Sequence, residues 1–491
     1  MRARDKAFPL LKAMSKSAMG LSCSAYLLSA GVALATTNEL PPPKIGAPTL
    51  RIHGSNTIGS ELSPALVTDF LKEQHYDQVQ IKTGTNPLEH TVTATRESDG
   101  RQVQIDLTAH GSATGFADLN NNLTDIAAAS RRINDIEVQE MARLGNLKSA
   151  EGEQVIGLDG VAVIINKQNP INSLSTEQLA GLFSGDIQDW SKINGKPGKV
   201  DIYSRDSKSG TWETFNELIL KSNSKTLSKD ANLFEDSELL SKKVSEDPNG
   251  IGFIGLPYVL NAKAVAVSDG GYSAIFPTVQ SIATEDYPLA RRLFFYAPTI
   301  NKNPWADALI KFSLTPEGQA IVTRIGFIGQ EPQPFKVTPT GEMPAKYKEL
   351  AENAERLSVN FRFADGGAEL DNKAKRDLQR VVSYAKAHDV KHLALGGFSD
   401  DSVTPERASV LSKLRVLAVR RELAKAGVIT TDVQSFGNAL QVSSSEAPRE
   451  KRQRNRRVEV WVYPNSESGE QDKASTTATS TSTDTSTSKH S

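Results

Sequence analysis

Cysteine is almost absent from this sequence, whose 491 residues contain a single one, Cys23. It lies in an N-terminal stretch with a basic region, an apolar run over 25–35 and the triplet Ala33-Leu34-Ala35. This pattern is typical of a secretory signal peptide, so we expect residues 1–35 to be removed by cleavage after Ala35. The mature chain then has no cysteine, which excludes disulfides, thiolate catalysis and cysteine-ligated zinc.

Long apolar runs and an excess of one charge are also missing. No segment other than the signal peptide approaches the ~18 apolar residues of a membrane-spanning helix, so we expect no transmembrane segment. The chain has 57 Lys and Arg against 58 Asp and Glu, and without the first 35 residues the balance is 52 against 57. A mildly acidic protein binds nucleic acid poorly, so we expect no nucleic-acid partner and local donors for any bound anion.

Composition divides the rest of the chain into four blocks. Residues 49–330 alternate β-rich runs with helical patterns, as α/β domains do. Residues 331–355 contain four prolines and are interpreted as a linker that leads into a short helix. Residues 356–464 form a second compact α/β unit. Residues 465–491 are rich in Ser and Thr with few apolar residues, so we expect a disordered tail.

An anion-binding pattern occurs in the first α/β block, where Arg205 is followed by Ser209-Gly210-Thr211 and an amphipathic segment. This order places hydroxyls and unpaired backbone N–H groups at the start of a helix, beside a guanidinium. The alternative is an ordinary serine cap with a surface arginine. Ser55, Thr57 and Ser112 also follow predicted strand ends, where open α/β sheets bind ligands. Together these positions predict a convergent oxyanion site.

Residues 49–330 resemble the phosphate-binding proteins of phosphate ABC transporters. The motifs that carry the resemblance are Gly54-Ser55-Asn56-Thr57-Ile58, His110 to Gly115, Thr124 to Arg131, Leu158 to Asn166, Leu179 to Gly185, Asp189-Trp190, Arg205 to Thr211, Asn249 to Phe253 and Gly326-Phe327-Ile328. The resemblance implies a bilobal periplasmic-binding-protein fold of two α/β lobes joined by two crossover strands. Lobe 1 would comprise about 49–158 and 257–330, and lobe 2 about 159–256.

The same resemblance implies which residues hold the anion, which is expected to be phosphate or a similar oxyanion. They are Thr57, Ile58, Ser112, Arg205, Ser209, Gly210 and Thr211. Ser55, which follows a predicted strand end, and Arg131, a second candidate arginine, complete the predicted anion site. Neutral dipoles and one guanidinium would clamp the anion between the lobes, and the lobes would close by a hinge motion at 158–161 and 252–257. No catalytic residue, cofactor or metal is implied.

One position departs from the family. Members commonly have an acidic residue just after the Ala-Ser step, which accepts a hydrogen bond from protonated phosphate, whereas here Ser130 is followed by Arg131-Arg132. Asp159 or Asp206 could supply the missing acceptor, and selectivity between phosphate and sulfate stays open. The alternative for Arg131 is a salt bridge with Asp125 or Asp135.

The second unit has a predicted βαβαββ order, which favours a two-layer sandwich. Its motifs Gly397-Phe398-Ser399-Asp400, Leu411 to Arg415 and Arg454 to Val460 resemble the OmpA-like peptidoglycan-binding domain. In that family an Asp and an Arg 15 positions apart hold the diaminopimelate of the stem peptide, and Asp400 and Arg415 have this spacing. The alternative is a structural ion pair. The basic run 449–457 is interpreted as a solvated face.

Three functions are weighed from the sequence. The first is a periplasmic oxyanion receptor that is anchored noncovalently to peptidoglycan, with an inner-membrane ABC transporter as a further partner. The second is an envelope structural or adhesive module whose binding-protein unit no longer binds anion. The third, a hydrolase with Ser209 or Ser112 as nucleophile, is disfavoured because no nucleophile-elbow or metal motif accompanies these serines.

Overall fold

The computed structural model describes residues 40–207, 209–363, 367–400, 404–443 and 452–464. The predicted signal peptide and the predicted disordered tail lie outside these residues. Within the described ranges, none of the helices combines the length and apolar character needed to cross a bilayer.

The first lobe is an α/β layer that begins close to the start of the described chain. Its elements are β1 (Leu50–Gly54), α1 (Asn56–Gly59), α2 (Leu62–Glu73), β2 (Asp77–Thr83), β3 (Glu89–Thr95), β4 (Gln102–Thr108), α3 (Ser112–Asn120), β5 (Ile126–Ala129) and α4 (Asp135–Glu140). Strands β4, β1 and β5 are parallel neighbours, as expected for strands that alternate with helices. Their carboxyl ends therefore meet at one edge of the sheet.

The second lobe is reached through one long buried strand, β6 (Glu153–Ile165). It comprises β7 (Ser173–Ser175), α5 (Thr176–Ser184), β8 (Asp201–Arg205), α6 (Gly210–Phe215), β9 (Asn232–Phe234), α7 (Ser237–Glu246), β10 (Gly250–Gly255), β11 (Lys263–Ala264), β12 (Ala266–Ser268) and α8 (Val279–Ala283). A short π-helix over Asn216–Leu220 follows α6 directly. The continuous apolar run of β6 fits its burial on both faces.

The chain returns to the first lobe through β13 (Ala290–Tyr296), followed by α9 (Pro304–Ser313) and α10 (Pro316–Arg324). Strand β13 is antiparallel to both β5 and β6, so one eleven-stranded sheet runs through both lobes. The resemblance predicts the return crossover at 252–257 and assigns 257–330 to lobe 1. In the structure Val265, Val267 and Ile282 instead fill the second core beside Phe253, so the return falls at β13.

After one additional strand and helix, the described elements of the C-terminal domain follow the predicted βαβαββ order. Its elements are β14 (Pro334–Phe335), α11 (Ala345–Asn353), β15 (Glu355–Arg362), α12 (Asn372–Ala387), β16 (Leu393–Gly397), α13 (Pro405–Lys425), β17 (Asp432–Ser435) and β18 (Arg457–Val462). The sheet order is β14-β15-β18-β16-β17, and α12 and α13 pack on it through residues such as Val381 and Val416. The predicted linker contributes β14 and α11 to this domain.

Candidate functional site

Three buried serine hydroxyls converge where the parallel strands of the first lobe end. Ser55 follows β1, Ser112 begins α3, and Ser130 follows β5. The hydroxyl of Ser55 donates to that of Ser130 at 3.1 Å, and the hydroxyls of Ser112 and Ser130 lie 3.2 Å apart. The exposed fraction of each residue is 4% or less. The structure therefore brings the predicted Ser55 and Ser112 together and adds Ser130.

A carboxylate from the other lobe meets this serine cluster. Glu213, in α6, accepts a hydrogen bond of 3.1 Å from the hydroxyl of Ser112 and one of 3.0 Å from that of Ser130. An ionised carboxylate only accepts hydrogen bonds, so both serines act as donors toward an anion of the chain itself. Glu213 is not among the site residues predicted from sequence, although its position three residues after Gly210 puts it on the first turn of α6.

The two lobes touch at Thr57 and Gly210. A Cβ atom added to Gly210 would lie 2.0 Å from Oγ1 of Thr57 and 2.4 Å from its Cα. Only glycine allows this approach, so the start of α6 lies directly against α1 and the cleft is closed in this structure. Ile58 is buried beside Thr57, and its backbone belongs to the first turn of α1.

Arg291 on β13, which was not predicted from the sequence, lies in the cleft. It donates to the carbonyl of Gly210 at 2.7 Å, to the hydroxyl of Thr57 and to Oδ2 of Asp159 at 3.3 Å. Asp159 faces it across the strand pair and also accepts a hydrogen bond of 3.4 Å from Thr214. Arg291 lies in a strand that passes between both lobes, and nothing in its local sequence distinguishes it from the adjacent Arg292.

Arg205 is turned toward the segment between β9 and α7. Its guanidinium donates to the carbonyls of Phe234 and Glu235 at 3.3 and 2.8 Å and to the hydroxyl of Ser237 at 2.5 Å. Burial lowers the pKa of Arg205 against the attraction of nearby carboxylates, of which Asp206 is the first. In this closed form the guanidinium of Arg205 therefore donates its hydrogen bonds to oxygen atoms of the protein. Its contact with an anion stays a prediction.

Ser209 and Thr211 lie at the start of α6 as the pattern predicts. The hydroxyl of Ser209 accepts hydrogen bonds from the backbone N–H groups of Thr211 at 3.2 Å and Trp212 at 3.5 Å. Asp206 accepts from the N–H of Ser209 at 3.1 Å. Ser209 thus caps the helix, as the alternative interpretation of an ordinary serine cap predicts. The carboxylate of Asp206 is hydrogen-bonded within the same turn.

Arg131 forms a two-pronged ion pair with Glu137. The two distances are 2.9 and 2.7 Å, and the guanidinium lies 5.0 Å from the centre of the Phe116 ring. The hydrogen bond that Arg131 donates to Glu137 raises the pKa of Arg131. The suggested partners Asp125 and Asp135 were wrong, because Glu137 is the capping-box residue of α4 and its carboxylate points back toward Arg131.

The predicted wall-binding pair is buried in the C-terminal domain. Asp400 pairs with Arg456 at 2.9 Å, whereas Arg415 donates to the carbonyls of Phe398 and Gly367, both at 3.1 Å. The exposed fractions of Asp400 and Arg415 are 5% and 1%. Both side chains thus contact groups of the protein itself, and their role toward a stem peptide stays a prediction.

The interpretation of 449–457 as a solvated basic face was wrong for the described part of that run. Arg456 and Arg457 are buried, and Arg454 donates to the carbonyl of Pro288 at 2.8 Å. These residues lead into β18. Asp400 and Glu459 supply the paired carboxylates that the buried guanidinium groups of Arg456 and Arg457 need. Residues 449–451 lie outside the described ranges.

The serines considered as nucleophiles have the partners given above, and two histidines of the first lobe pair with carboxylates. His53 lies 2.8 Å from a carboxylate oxygen of Asp118, and His110 lies 3.0 Å from Glu89. Among the residues the structure describes, no group of three or more His, Cys, Asp or Glu side chains is arranged to hold a metal.

Comparison with known proteins identifies the class. Residues 71–317 match the family model described as the PBP superfamily domain, and residues 362–456 match the model of the OmpA family. Because the first match spans half of the chain, the protein belongs to the PBP superfamily, and it has a C-terminal OmpA domain. The fold predicted from the sequence is thereby confirmed.

Two named relatives are similar to this chain in sequence. The chain is 30% identical over 254 residues to protein SphX of Synechococcus elongatus, a match that covers 49% of the chain and 74% of the relative. It is 25% identical over 275 residues to the phosphate-binding protein PstS of Borreliella burgdorferi, covering 55% and 95%. The chain is a binding protein of this family with a C-terminal OmpA domain, and it is not an enzyme.

The solved structures that this chain resembles include an ABC-type phosphate transport receptor from Vibrio cholerae. That receptor is 21% identical in sequence, and the match covers 57% of this chain and 99% of the receptor with a TM-score of 0.44.

Proposed function

We propose that this protein is a periplasmic receptor for phosphate or a closely similar oxyanion, anchored noncovalently to peptidoglycan through its OmpA domain. The observation that supports the first part most strongly is the buried pair Ser112 and Ser130, whose hydroxyls already donate to a carboxylate at the junction of two lobes. Donors held at 3.0 to 3.1 Å from one oxyanion can serve another of similar size.

The proposed anion site contains the residues predicted from sequence together with Arg291. When the lobes open, Glu213 moves away from the serines, and a tetrahedral anion can enter between the serine cluster and the start of α6. Thr57, Ile58 and Gly210 would then contribute backbone donors, and Arg291 would supply charge from the crossover strand. Ser55, Arg131, Arg205, Ser209 and Thr211 complete the predicted set, with Arg131 and Arg205 needing to release the partners described above.

Glu213 is the acceptor we propose for a protonated anion, in place of Asp159 or Asp206. Asp159 faces Arg291, and Asp206 accepts from the Ser209 backbone. A carboxylate beside the bound anion favours a ligand that carries a proton to donate, and repels one that has none. Hydrogen phosphate has such a proton, whereas sulfate is fully ionised at neutral pH.

The experiment that tests this function is calorimetric titration of the wild type and of Glu213→Gln with phosphate and sulfate. Glutamine keeps the size of the side chain and removes its charge, so sulfate should bind more tightly to the variant while the preference for phosphate narrows at least tenfold. Identical selectivity in the two proteins would show that Glu213 does not face the anion.

Peptidoglycan attachment is proposed for the OmpA domain on the basis of Asp400 and Arg415. One carboxylate and one guanidinium match the ammonium and carboxylate of a diaminopimelate end, and the family assigns this role to residues at this spacing. Attachment places the protein in the periplasm of a Gram-negative cell envelope. There the receptor would supply an inner-membrane ABC transporter with phosphate or report its concentration near the wall.

A second candidate function has one specific observation in its favour. The cleft is closed on Glu213, an anion of the chain itself, and a permanent self-ligand would leave an envelope structural or adhesive module. The two functions differ in one result: a receptor binds phosphate after removal of any bound anion, and a structural module does not.

A further inference from the structure

The OmpA domain contacts the first lobe through the start of α12. Nδ2 of Asn372 donates to the carbonyl of Lys148 at 2.9 Å, and Arg376 donates to the carbonyl of Ala150 at 2.8 Å. Lys148 and Ala150 follow Leu147, which is part of the core of lobe 1. Asn372 and Arg376 are half-buried, so these contacts lie at the edge of the interface.

The same domain contacts the second lobe through a buried group of charges. Asp286 accepts hydrogen bonds from Arg356 at 2.8 Å, Asn360 at 3.0 Å and Arg362 at 3.2 Å, all of them on β15. Asp286 precedes Tyr287, which is part of the core of lobe 2. Arg356 and Arg362 are 8% and 1% exposed at their side chains, so this contact is the interior of the interface.

Strand β13 connects this interface with the anion cleft. Adjacent side chains of a strand point to opposite faces, and here Arg291 points into the cleft while Arg292 points toward the OmpA domain. Arg292 pairs with Asp371, the cap of α12, at 2.8 Å and with Glu285 at 2.7 Å. Arg291 in the cleft is thus adjacent on β13 to Arg292, which pairs with a carboxylate of the OmpA domain.

We propose that the OmpA domain has a second function besides wall attachment: bound to both lobes, it restrains their hinge motion. Opening rotates one lobe relative to the other, so a domain that is fixed to both must lose one set of contacts. The half-buried contacts of Asn372 and Arg376 are easier to break than the buried charges around Asp286. The first lobe is therefore the one that separates from the domain on opening.

This restraint links the two binding domains. A stem peptide that rigidifies or shifts α12 changes the equilibrium between open and closed lobes, and binding linkage requires that the anion change stem-peptide affinity by the same factor. This consequence, unlike the restraint itself, rests on the proposed anion-binding function.

The restraint is tested by the distance between the lobes in the full mature chain. The mature sequence has no cysteine, so spin labels at Glu97→Cys in lobe 1 and Lys229→Cys in lobe 2, both exposed positions, form a clean pair. In Asn372→Ala/Arg376→Ala the distance distribution should broaden and lengthen without added anion. The matched control is Lys375→Ala, because Lys375 pairs with Glu369 of its own domain. Equal distributions in all three proteins would overturn the proposal.

The linkage is tested by phosphate dissociation in the same proteins. Phosphate affinity should be about five-fold weaker or more in the double variant, the lower end of typical coupling between sites, and unchanged in Lys375→Ala. Phosphate should accordingly be released faster from the double variant. Unchanged release in a double variant whose lobes have opened would refute the linkage. Absence of phosphate binding in every protein would instead refute the anion-binding function, and the spin-label distances would still decide the restraint.

Discussion

Glu213 and Ser130 lie on different lobes, and the carboxylate of the first accepts a hydrogen bond of 3.0 Å from the hydroxyl of the second. This contact closes the cleft with an anion of the chain itself. The bond also shows which donors point into the cleft. The hydroxyl of Ser130 accepts a hydrogen bond from Ser55 and lies 3.2 Å from the hydroxyl of Ser112, so its position is fixed by both. A diffusible oxyanion must displace this carboxylate from the serine hydroxyls or share those donors with it.

Gly210→Ala should weaken phosphate binding at least tenfold, or about 1.4 kcal/mol. The new methyl group would collide with Thr57, so the lobes could not reach the observed separation. Calorimetry of the folded variant measures the loss. Gly271→Ala is the matched control, because no atom lies within 4 Å of the added Cβ there. Equal affinity in both variants would mean that anion binding does not need this closure.

Removing Arg291 alone should destabilise the protein by about 3–5 kcal/mol, because Asp159 would keep a buried charge with no guanidinium beside it. The double variant Arg291→Gln/Asp159→Asn removes both charges and should recover most of that stability. It should nevertheless bind phosphate at least tenfold more weakly, because the guanidinium is still missing. Urea unfolding measures the free energy of unfolding, and calorimetry measures the affinity for phosphate. Wild-type affinity in the double variant would exclude Arg291 from the site.

The interface with the OmpA domain should weaken in acid. Burial alone would raise the pKa of Asp286, but the attraction of Arg356, Arg457 and Arg362 outweighs it and holds that pKa well below its usual range. A lowered carboxyl pKa adds stability above the unfolded pKa of about 3.9, and this stability is lost as the pH falls below that value.

The wild type should therefore lose more free energy of unfolding between pH 6 and pH 3 than Asp286→Asn, which lacks the titrating group. Urea unfolding of the two proteins at both pH values measures the difference. Parallel losses would show that Asp286 does not contribute to the acid sensitivity.

Asp400→Asn should abolish sedimentation with insoluble peptidoglycan and leave phosphate affinity unchanged. Asparagine is preferred to alanine here because Asp400 also neutralises the buried Arg456, and a smaller residue would leave a cavity beside that charge. Arg415→Lys should have the same effect on sedimentation, since lysine cannot form the two-pronged contact with a carboxylate. A variant that still sediments would locate wall attachment elsewhere.

The fold was predictable because its signals are local. The buried run of β6, the periodicity of α2 and the long helix α13 all follow from hydrophobic patterns, and the structure contains each of them. The lobe boundary was not predictable in the same way. Side chains of residues 263–289 pack into the core of the second lobe. Strands β11 and β12 are too short for a hydrophobic pattern in the sequence to predict this packing.

The candidate site was predictable only in part. Ser55 and Ser112 follow strands, so their convergence could be inferred from the topology of a parallel sheet. Arg291 and Glu213 reach the cleft from an antiparallel crossover strand and from the far lobe, and only the closed arrangement reveals them. Arg205 has the spacing of an anion ligand, yet in this structure its donors are used by the segment before α7.

Calorimetric titration of the full mature chain, stripped of bound anion, with phosphate and with sulfate tests the central proposal most directly. The account predicts saturable binding of one phosphate per chain and clearly weaker binding of sulfate. A folded protein that gives no binding heat with either anion, at more than one temperature, would contradict it and would favour the structural module.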